Sequence, residues 1–477
     1  GSGGGRPGVL EIVRSSGRMT AARRKQLGQL ARCLAKGTLR TDERMLQRHA
    51  GDKWFAANPP DAVAFPRSAK AVAEILKFAN RYRIPVTARG AGQGYVGGCV
   101  PVHGGIALSL ARMKRIREIS GSDFVAVVQP GVVTAELQDA VEDNGLYYPP
   151  DPANRADCSI GGNIATNAGG PRCLKYGVTR DYVLGLEVVL PSGSIATLGG
   201  RCHKNKTGFD LARFFVGSEG LLGVVTGATL KLLPLPPFRA CVGMGFGSMR
   251  NAARAIQAIF RAGFLPSAVE IADAFTLAAA RARTGSTLFD GCKAHIIVEL
   301  DGQEKSVRSE LAQLQRLLKP FSPLNTRKGF GQAGVEKFWQ LRREFSYSLR
   351  DTGLTKLNND IAVPRGKLEP MFRFAAQLQK KHGIRVACFG HAGDGNIHVN
   401  LMMDESDPEQ VKRSGAALDD LFAQVLAWSG VITGEHGIGV ARLPWWKQAT
   451  SPEARRLHAA FKRAVDPNGI LNPGKFV

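Results

Sequence analysis

Apolar positions divide the chain before anything else is known of it. Leu27, Leu30 and Leu34 recur at helical spacing in an Arg-, Lys-, Leu- and Ala-rich stretch over 8–48, which predicts one or two amphipathic helices. Ala62-Val63-Ala64-Phe65-Pro66 reads as a strand, Ser68 to Tyr82 as a helix carrying Val72, Ile75, Leu76 and Phe78, and Ile84-Pro85-Val86-Thr87-Ala88 as a second strand. That strand empties into a glycine-rich loop over 89–98, and Ile106-Ala107-Leu108-Ser109-Leu110 resumes as a strand. The proline cluster Pro234-Leu235-Pro236-Pro237 marks a domain boundary. Beyond it, strands at 294–300, 357–363 and 386–389 alternate with helices at 249–262, 307–318, 368–381 and 411–428, an α+β pattern.

Two glycine-bounded segments in the last third concentrate candidate chemistry. Apolar residues lead into Gly390-His391, Gly393-Asp394-Gly395-Asn396 forms a turn, and Ile397, Val399 and Leu401 alternate with His398, Asn400 and Met402, which predicts a tight hairpin. Two imidazoles held across one turn can ligate a divalent ion, and a carboxylate is the usual third ligand where a position stays open for chemistry. Glu435, in Thr433-Gly434-Glu435-His436-Gly437-Ile438-Gly439, is the best candidate. The spacing H-x₆-H alone favours histidines satisfied by backbone hydrogen bonds; three of nine histidines falling in two glycine-rich segments reverses that preference.

Gly92, Gly94 and Gly97 spell G-x-G-x-x-G, the dinucleotide fingerprint, but that motif needs a helix to begin at the loop. Gly98, Pro101, Gly104 and Gly105 forbid one, so NAD is rejected and a nest of glycine amides for a pyrophosphate is kept, against the alternative of an unliganded turn. A second block, Tyr148-Pro149-Pro150-Asp151-Pro152 followed by Cys158-Ser159-Ile160-Gly161-Gly162-Asn163-Ile164-Ala165-Thr166-Asn167-Ala168-Gly169-Gly170, offers small and amide side chains. Such residues suit a backbone pressed against a flat, polar, uncharged ring, and an isoalloxazine fits. A third, Gly217-Ser218-Glu219-Gly220-Leu221-Leu222-Gly223-Val224-Val225-Thr226, is a glycine turn running into a β-branched strand.

At 477 residues the chain implies two or three domains, and its 44% hydrophobic content is that of a globular protein with no apolar run long enough to cross a bilayer. Lys and Arg exceed Asp and Glu by 64 to 40, a formal +24, which favours acidic substrates, an acidic redox partner or anionic lipid. Basic residues lack the aromatic interleaving of a single-strand groove, so no specific nucleic acid is expected. The eight cysteines include no C-x₂-C pair, which argues against iron–sulfur and zinc-ribbon sites and for reduced thiols of an intracellular protein. The opening Gly1-Ser2-Gly3-Gly4-Gly5 resembles a linker and lacks the apolar core of a secretory signal, while a trimmed mitochondrial transit segment stays open.

The segments GHAGDGNIH and GEHGIG, with the closing Asp466-Pro467-Asn468-Gly469-Ile470-Leu471-Asn472-Pro473-Gly474-Lys475, resemble the C-terminal half of the FAD-linked D-2-hydroxyacid dehydrogenases. That group includes D-lactate and D-2-hydroxyglutarate dehydrogenases and the flavoprotein subunit of glycolate oxidase. The three upstream blocks resemble a vanillyl-alcohol-oxidase-type (PCMH-type) FAD domain, so the resemblance covers about 57–477 and implies an α+β protein. It divides the chain into an N-terminal helical segment (1–56), an FAD-binding domain (57–236), a substrate or cap domain (237–420) and a segment returning to the FAD domain (421–477).

The resemblance places the FAD pyrophosphate on Arg89, Gly90, Ala91, Gly92, Gln93, Gly94 and Tyr95, and the flavin ring near Pro150, Asp151, Ser159, Gly161, Gly162, Asn163, Ala165, Thr166, Glu219, Gly223, Val224 and Val225. Asn472 closes over the cofactor. No His lies in the first glycine loop and Cys99 falls just beyond it, so FAD is expected to be non-covalent. Trp339-Gln340-Leu341-Arg342-Arg343-Glu344-Phe345-Ser346 resembles the helix whose arginine and hydroxyl hold the substrate carboxylate; Arg342 and Ser346 are one turn apart, and a guanidinium fork matches a carboxylate. Either Lys356 or Asn358 occupies the position where relatives acting on 2-hydroxyglutarate carry lysine.

The expected reaction is oxidation of a D-2-hydroxyacid to the 2-oxoacid, with hydride to flavin N5, His436 as base, and zinc or manganese on His391, His398 and Glu435. A glycolate oxidase-type subunit, a non-catalytic electron-transfer subunit and an oxidase of sugars or phenols are the alternatives. Expected partners are a quinone, a cytochrome or an electron-transfer flavoprotein, with peripheral membrane contact and a homodimer left open. The expected compartment is the cytoplasm or the face of the inner membrane, and mitochondrial for a eukaryotic source.

Overall fold

The computed structural model of the chain describes residues 19–477. The opening Gly1-Ser2-Gly3-Gly4-Gly5 and the start of the helical stretch expected over 8–48 lie outside the described residues. The remainder forms helices Ala21–Cys33 and Glu43–Arg48, and Leu27, Leu30 and Leu34 pack into the core of the first sheet.

That sheet orders Leu39–Arg40, Ala62–Ala64, Ile106–Ser109 and Val86–Arg89, the last three parallel. Helix Ala69–Tyr82, capped by the Ser68 hydroxyl, buries Val72, Ile75, Leu76 and Ala79 against it, as its apolar spacing requires. The parallel neighbours Val86–Arg89 and Ile106–Ser109 are joined with no helix between them, which is the arrangement that excludes a Rossmann unit. A second, antiparallel sheet follows in the order Ile116–Ser120, Val125–Val128, Val224–Lys231, Val183–Val189, Ile195–Gly199. Residues 160–166 form a short helix, Ile160–Thr166, capped by Ser159. Its glycine content hid it, because tertiary packing rather than propensity makes this turn: a Cβ on Gly161 would stand 2.6 Å from Pro130 Cβ.

Beyond the prolines at 234–237 the chain enters a seven-stranded antiparallel sheet, ordered Asn325–Phe330, Phe238–Phe246, Ala294–Gly302, Ala268–Asp273, Arg385–His391, Asn396–Met403, Thr355–Ala362. Its two faces differ. Val242, Ile271, Ile296, Val298, Val399 and Leu401 pack under helices Met249–Arg261, Glu304–Leu318, Leu368–His382 and Pro408–Ala427. The other face carries, by register, Glu299, Glu270, His391, Phe389, His398, Asn358 and Asp360, and is covered by helices Ala274–Thr284 and Gly331–Ser348. After helices Leu443–Ala449 and Pro452–Val465 the chain returns to the first sheet, where Leu471 bridges Val86 in parallel.

Candidate active site

A cavity of about 650 Å³ runs between the two N-terminal sheets and the polar face of the seven-stranded sheet. Arg89, Gly90, Ala91, Gly92, Gln93, Gly94 and Tyr95 line it, as do Asp151, Ser159, Gly161, Gly162, Asn163, Ala165, Thr166, Glu219, Gly223, Val224 and Val225. So do Arg342, Ser346, Asn358, His391, His398, Glu435 and His436. Residues spread over 348 positions of sequence, from 89 to 436, thus meet around one volume.

Three expected residues do not line it. Pro150 turns its carbonyl to Gln138 Nε2, which donates to it at 2.9 Å. Asn472 is buried and donates to Gly98 O at 3.0 Å and Glu219 O at 2.8 Å, so it ties two cavity loops together from behind. Lys356 points to the end of the helix Gly331–Ser348, donating to Ser346 Oγ at 2.6 Å and Ser346 O at 3.1 Å. Of the two candidates at that strand, Asn358 is the one on the cavity, with Oδ1 buried and unpartnered. Arg89 and Glu219 line the cavity but spend their charged groups elsewhere. The Arg89 guanidinium holds Gly51 O and lies 3.2 Å from Cys99 Sγ, while the Glu219 carboxylate accepts from Ile438 N at 2.7 Å and Gly439 N at 2.8 Å.

The hairpin Arg385–His391/Asn396–Met403 forms as its alternation predicts and sets the two imidazoles 5.6 Å apart, ring centre to ring centre. Glu435 closes the group: its Oε2 lies 3.8 Å from His391 Nε2 and its Oε1 3.6 Å from His398 Nε2. On the far side of His391, Glu270 accepts from Nδ1 at 2.6 Å with one oxygen and pairs with Arg342 Nε through the other. Burial alone would neutralise His391, but Glu270 and Glu435 outweigh it and raise its pKa to about 9. His398 goes the other way, lowered to about 3 by burial that the Glu435 charge does not offset, so it is neutral with a lone pair available. Burial works against ionised Glu435, yet His436 and His391 hold its carboxyl down to about 2.

His436 lies between two carboxylates. Its Nδ1 is 3.3 Å from Asp360 Oδ1 and its Nε2 3.5 Å from Glu435 Oε1. Against burial, the two carboxylates raise it to about 10, so the unperturbed value near 6.5 does not describe it in the chain alone. Asp360, fully buried, also receives the amides of Gly434 at 3.1 Å, Glu435 at 2.7 Å and His436 at 3.0 Å. The loop 433–439 is therefore gripped at one end by Asp360 of the seven-stranded sheet and at the other by Glu219 of the N-terminal half.

Glu270, Asp360 and Glu299 escaped the reading by motif. Glu270 and Glu299 have a signal in sequence, a lone carboxylate inside an apolar strand run, as in Ala268-Val269-Glu270-Ile271-Ala272 and Ile296-Ile297-Val298-Glu299-Leu300; Asp360, which follows Asn358-Asn359, does not. A charge placed there has to be paired in the fold. Glu299 is paired by Arg172, Arg239, Trp339 and Ser267.

The donor set fits a divalent cation. Two imidazoles and a carboxylate offer ligand atoms all within 4.8 Å of one another, and the second nitrogen of His391 is held by a carboxylate, as is usual for ligating histidines. The cradle for FAD passes a similar test. Gly92 has φ +70°, a Cβ on Gly90 would stand 2.5 Å from Ser159 Oγ, and Gln93 Oε1 and Asp151 Oδ1 are buried on the cavity without partners.

Comparison with known proteins agrees with this layout. Residues 60–199 match the profile of an FAD binding domain and residues 235–476 that of the C-terminal domain of FAD linked oxidases. The chain is 36% identical over 416 residues to glycolate oxidase subunit GlcD of Bacillus subtilis, covering 87% of this chain and 88% of that protein. It is 35% identical to GlcD of Escherichia coli K12 (92% and 87% covered) and 31% identical to D-lactate dehydrogenase of Anaerostipes hadrus (87% and 89% covered). Among solved structures, 4-ethylphenol oxidase from Gulosibacter chungangensis superposes with a TM-score of 0.77 at 20% identity, covering 97% of this chain and 98% of that one. p-Cresol methylhydroxylase gives 0.77 at 19%, covering 96% and 98%, so the fold is that of the vanillyl-alcohol-oxidase/PCMH type. On these grounds the chain belongs to the FAD-linked oxidase family, in the group that holds glycolate oxidase subunit GlcD and the D-lactate dehydrogenases, and is an FAD-linked oxidoreductase.

Proposed function

We propose that the protein oxidises a small D-2-hydroxyacid to the 2-oxoacid with non-covalently bound FAD. The observation that carries this reading is the convergence on one cavity of flavin-lining loops, the His391/His398/Glu435 donor set and Arg342. Bound FAD would supply the acceptor for the hydride leaving C2. A divalent ion, zinc or manganese, held by the three donors would supply a Lewis acid for the 2-hydroxyl. Arg342, its Nε fixed by Glu270, is placed to take the substrate carboxylate with its outer nitrogens, and Ser346 one turn on lines the same wall. His436 Nε2 is the candidate to receive the hydroxyl proton. It can do so only unprotonated, which requires the pull of Asp360 and of Glu435 toward the protonated form to be offset.

The position of Lys356 bears on the substrate. Its amine is occupied by Ser346 and off the cavity, so it offers no cation there to a second substrate carboxylate. A short monocarboxylate of the glycolate or lactate kind is therefore favoured over a dicarboxylate. Electrons would leave to a quinone, a cytochrome or an electron-transfer flavoprotein. Anaerobic flavin bleaching with a panel of D- and L-2-hydroxyacids tests the reading without knowledge of the acceptor. Bleaching by D-lactate or glycolate is expected; a flavin that no 2-hydroxyacid bleaches would favour the non-catalytic subunit instead.

A further inference from the structure

Two segments that the cavity does not use place bulky apolar side chains on the outside of the molecule. Phe209 is 92% exposed in a bend between strand Ile195–Gly199 and the short helix Leu211–Phe215. Phe214, on that helix, meets Phe461 of helix Pro452–Val465 edge-on with ring centres 4.6 Å apart, and Leu457 lies one turn before Phe461, 59% exposed. Both Phe214 and Phe461 stay partly exposed, so the two helices share an exposed apolar contact, with Phe209 five positions before Phe214.

The same segments carry exposed cations. Lys204, Lys206 and Arg463 are exposed and form no ion pair among the described residues, and Arg213 has only Asp210, at 3.6 Å. Arg201 is spent on Glu118 and Asp123, Arg456 on Glu453 and the buried Lys462 on Asp466, so the cations this face offers are Lys204, Lys206, Arg213 and Arg463. Aromatic and leucine side chains on the same segments as ammonium and guanidinium groups match the headgroup boundary of a bilayer: rings reach below the phosphates while cations stay level with them. The formal charge of +24 adds long-range attraction to the same kind of surface.

We propose that the face formed by residues 204–214 and 457–463 seats the protein on an anionic lipid surface, with Phe209 as the deepest inserted side chain. The test is co-sedimentation of the intact FAD-loaded chain with phosphatidylcholine vesicles, with and without phosphatidylglycerol. Wild type is expected to pellet with the anionic vesicles and to stay in solution with the neutral ones. Phe209→Ser with Leu457→Ser, both at largely exposed positions, should lower the partition constant about tenfold at unchanged charge and FAD content. Lys204→Gln with Lys206→Gln should lower it about fivefold per lysine removed. A Phe209→Trp variant should be quenched by brominated acyl chains. Wild type remaining in solution with anionic vesicles would overturn the proposal. Equal pelleting of wild type and the Phe209→Ser, Leu457→Ser variant would do so too, since net charge alone would then explain binding. Self-association lost in that variant, without vesicle binding by wild type, would assign the face to a second copy of the chain instead.

Discussion

Arg342 and Lys356 lie 14 positions apart and show how burial sorts two basic residues into different work. Arg342 is buried against Glu270 and over the rings of Phe345 and Phe389, a setting that suits a planar, delocalised guanidinium. Arg342→Met is expected to raise KM steeply and to lower kcat/KM by about 1.5 to 3 kcal/mol, read by steady-state kinetics at matched FAD content. Lysine fares differently: burial, with Arg350 nearby, lowers the Lys356 amine from 10.5 to about 7. Below pH 7 it is charged in both folded and unfolded chains. Between about 7 and 10.5 the unfolded chain still binds the proton that the folded chain has released, so this residue makes stability rise with pH across that window. Lys356→Met should therefore raise Tm, by a few degrees, most at pH 6, and the gain should shrink as pH rises toward 10. A pH-independent difference in Tm would show that the amine is not buried as described.

At the scale of elements, the loop 433–439 has no secondary structure to hold its shape, and two carboxylates take that part, Asp360 of the seven-stranded sheet and Glu219 of the turn before strand Val224–Lys231. Asp360→Asn would remove the charge shared by three successive amides, with a cost of about 1.5 to 3 kcal/mol for a charged hydrogen-bond set of this kind. Hydrogen exchange should then accelerate at 434–436 while 438 and 439, held by Glu219, stay protected. Uniform acceleration from 434 to 439 would mean that the two grips are one cooperative unit. The glycine loop over 89–98 is constrained by space instead. Gly92 sits at φ +70°, and any Cβ there would run into the Arg89 guanidinium. Gly92→Val should release most of the FAD, measured as the flavin to protein absorbance ratio, with the seven-stranded sheet left intact.

Across the whole molecule, the halves are locked by a buried charge chain. Asp151 and Arg172 come from the N-terminal half, and Glu299, Arg239 and Trp339 from the seven-stranded sheet and its covering helix. Beside them Lys175 and Tyr176 reach Asp301. Glu299 is fully buried, so Glu299→Gln would strand Arg172 and Arg239 with one carboxylate fewer between them, at a cost of about 3 to 5 kcal/mol. Calorimetry is expected to show the single unfolding transition of wild type separating into two as the halves uncouple. One transition, merely shifted, would show that apolar packing and not this chain joins them.

Local pattern was enough for the elements and for singling out His391, His398 and Glu435, which the fold brings together. The hairpin bearing His391 and His398, the helices near 69–82, 249–261 and 368–382, and the glycine loop that refuses a helix all follow from apolar spacing and from where glycine and proline fall. The short helix Ile160–Thr166 did not, because it depends on contacts that only the packed chain supplies. The partners of the site were equally beyond local pattern. Glu270 faces His391 and Asp360 faces His398 through antiparallel register, a relation between strands 121 and 38 residues apart that no spacing along one segment encodes. Lys356 and Asn358 stand on the same face of one strand, and only the end of helix Gly331–Ser348 decides that one of them is capped and the other meets the cavity. Residue chemistry is written in the chain; which charge each group keeps is set by burial and by neighbours brought from afar, and those exist only in the folded protein.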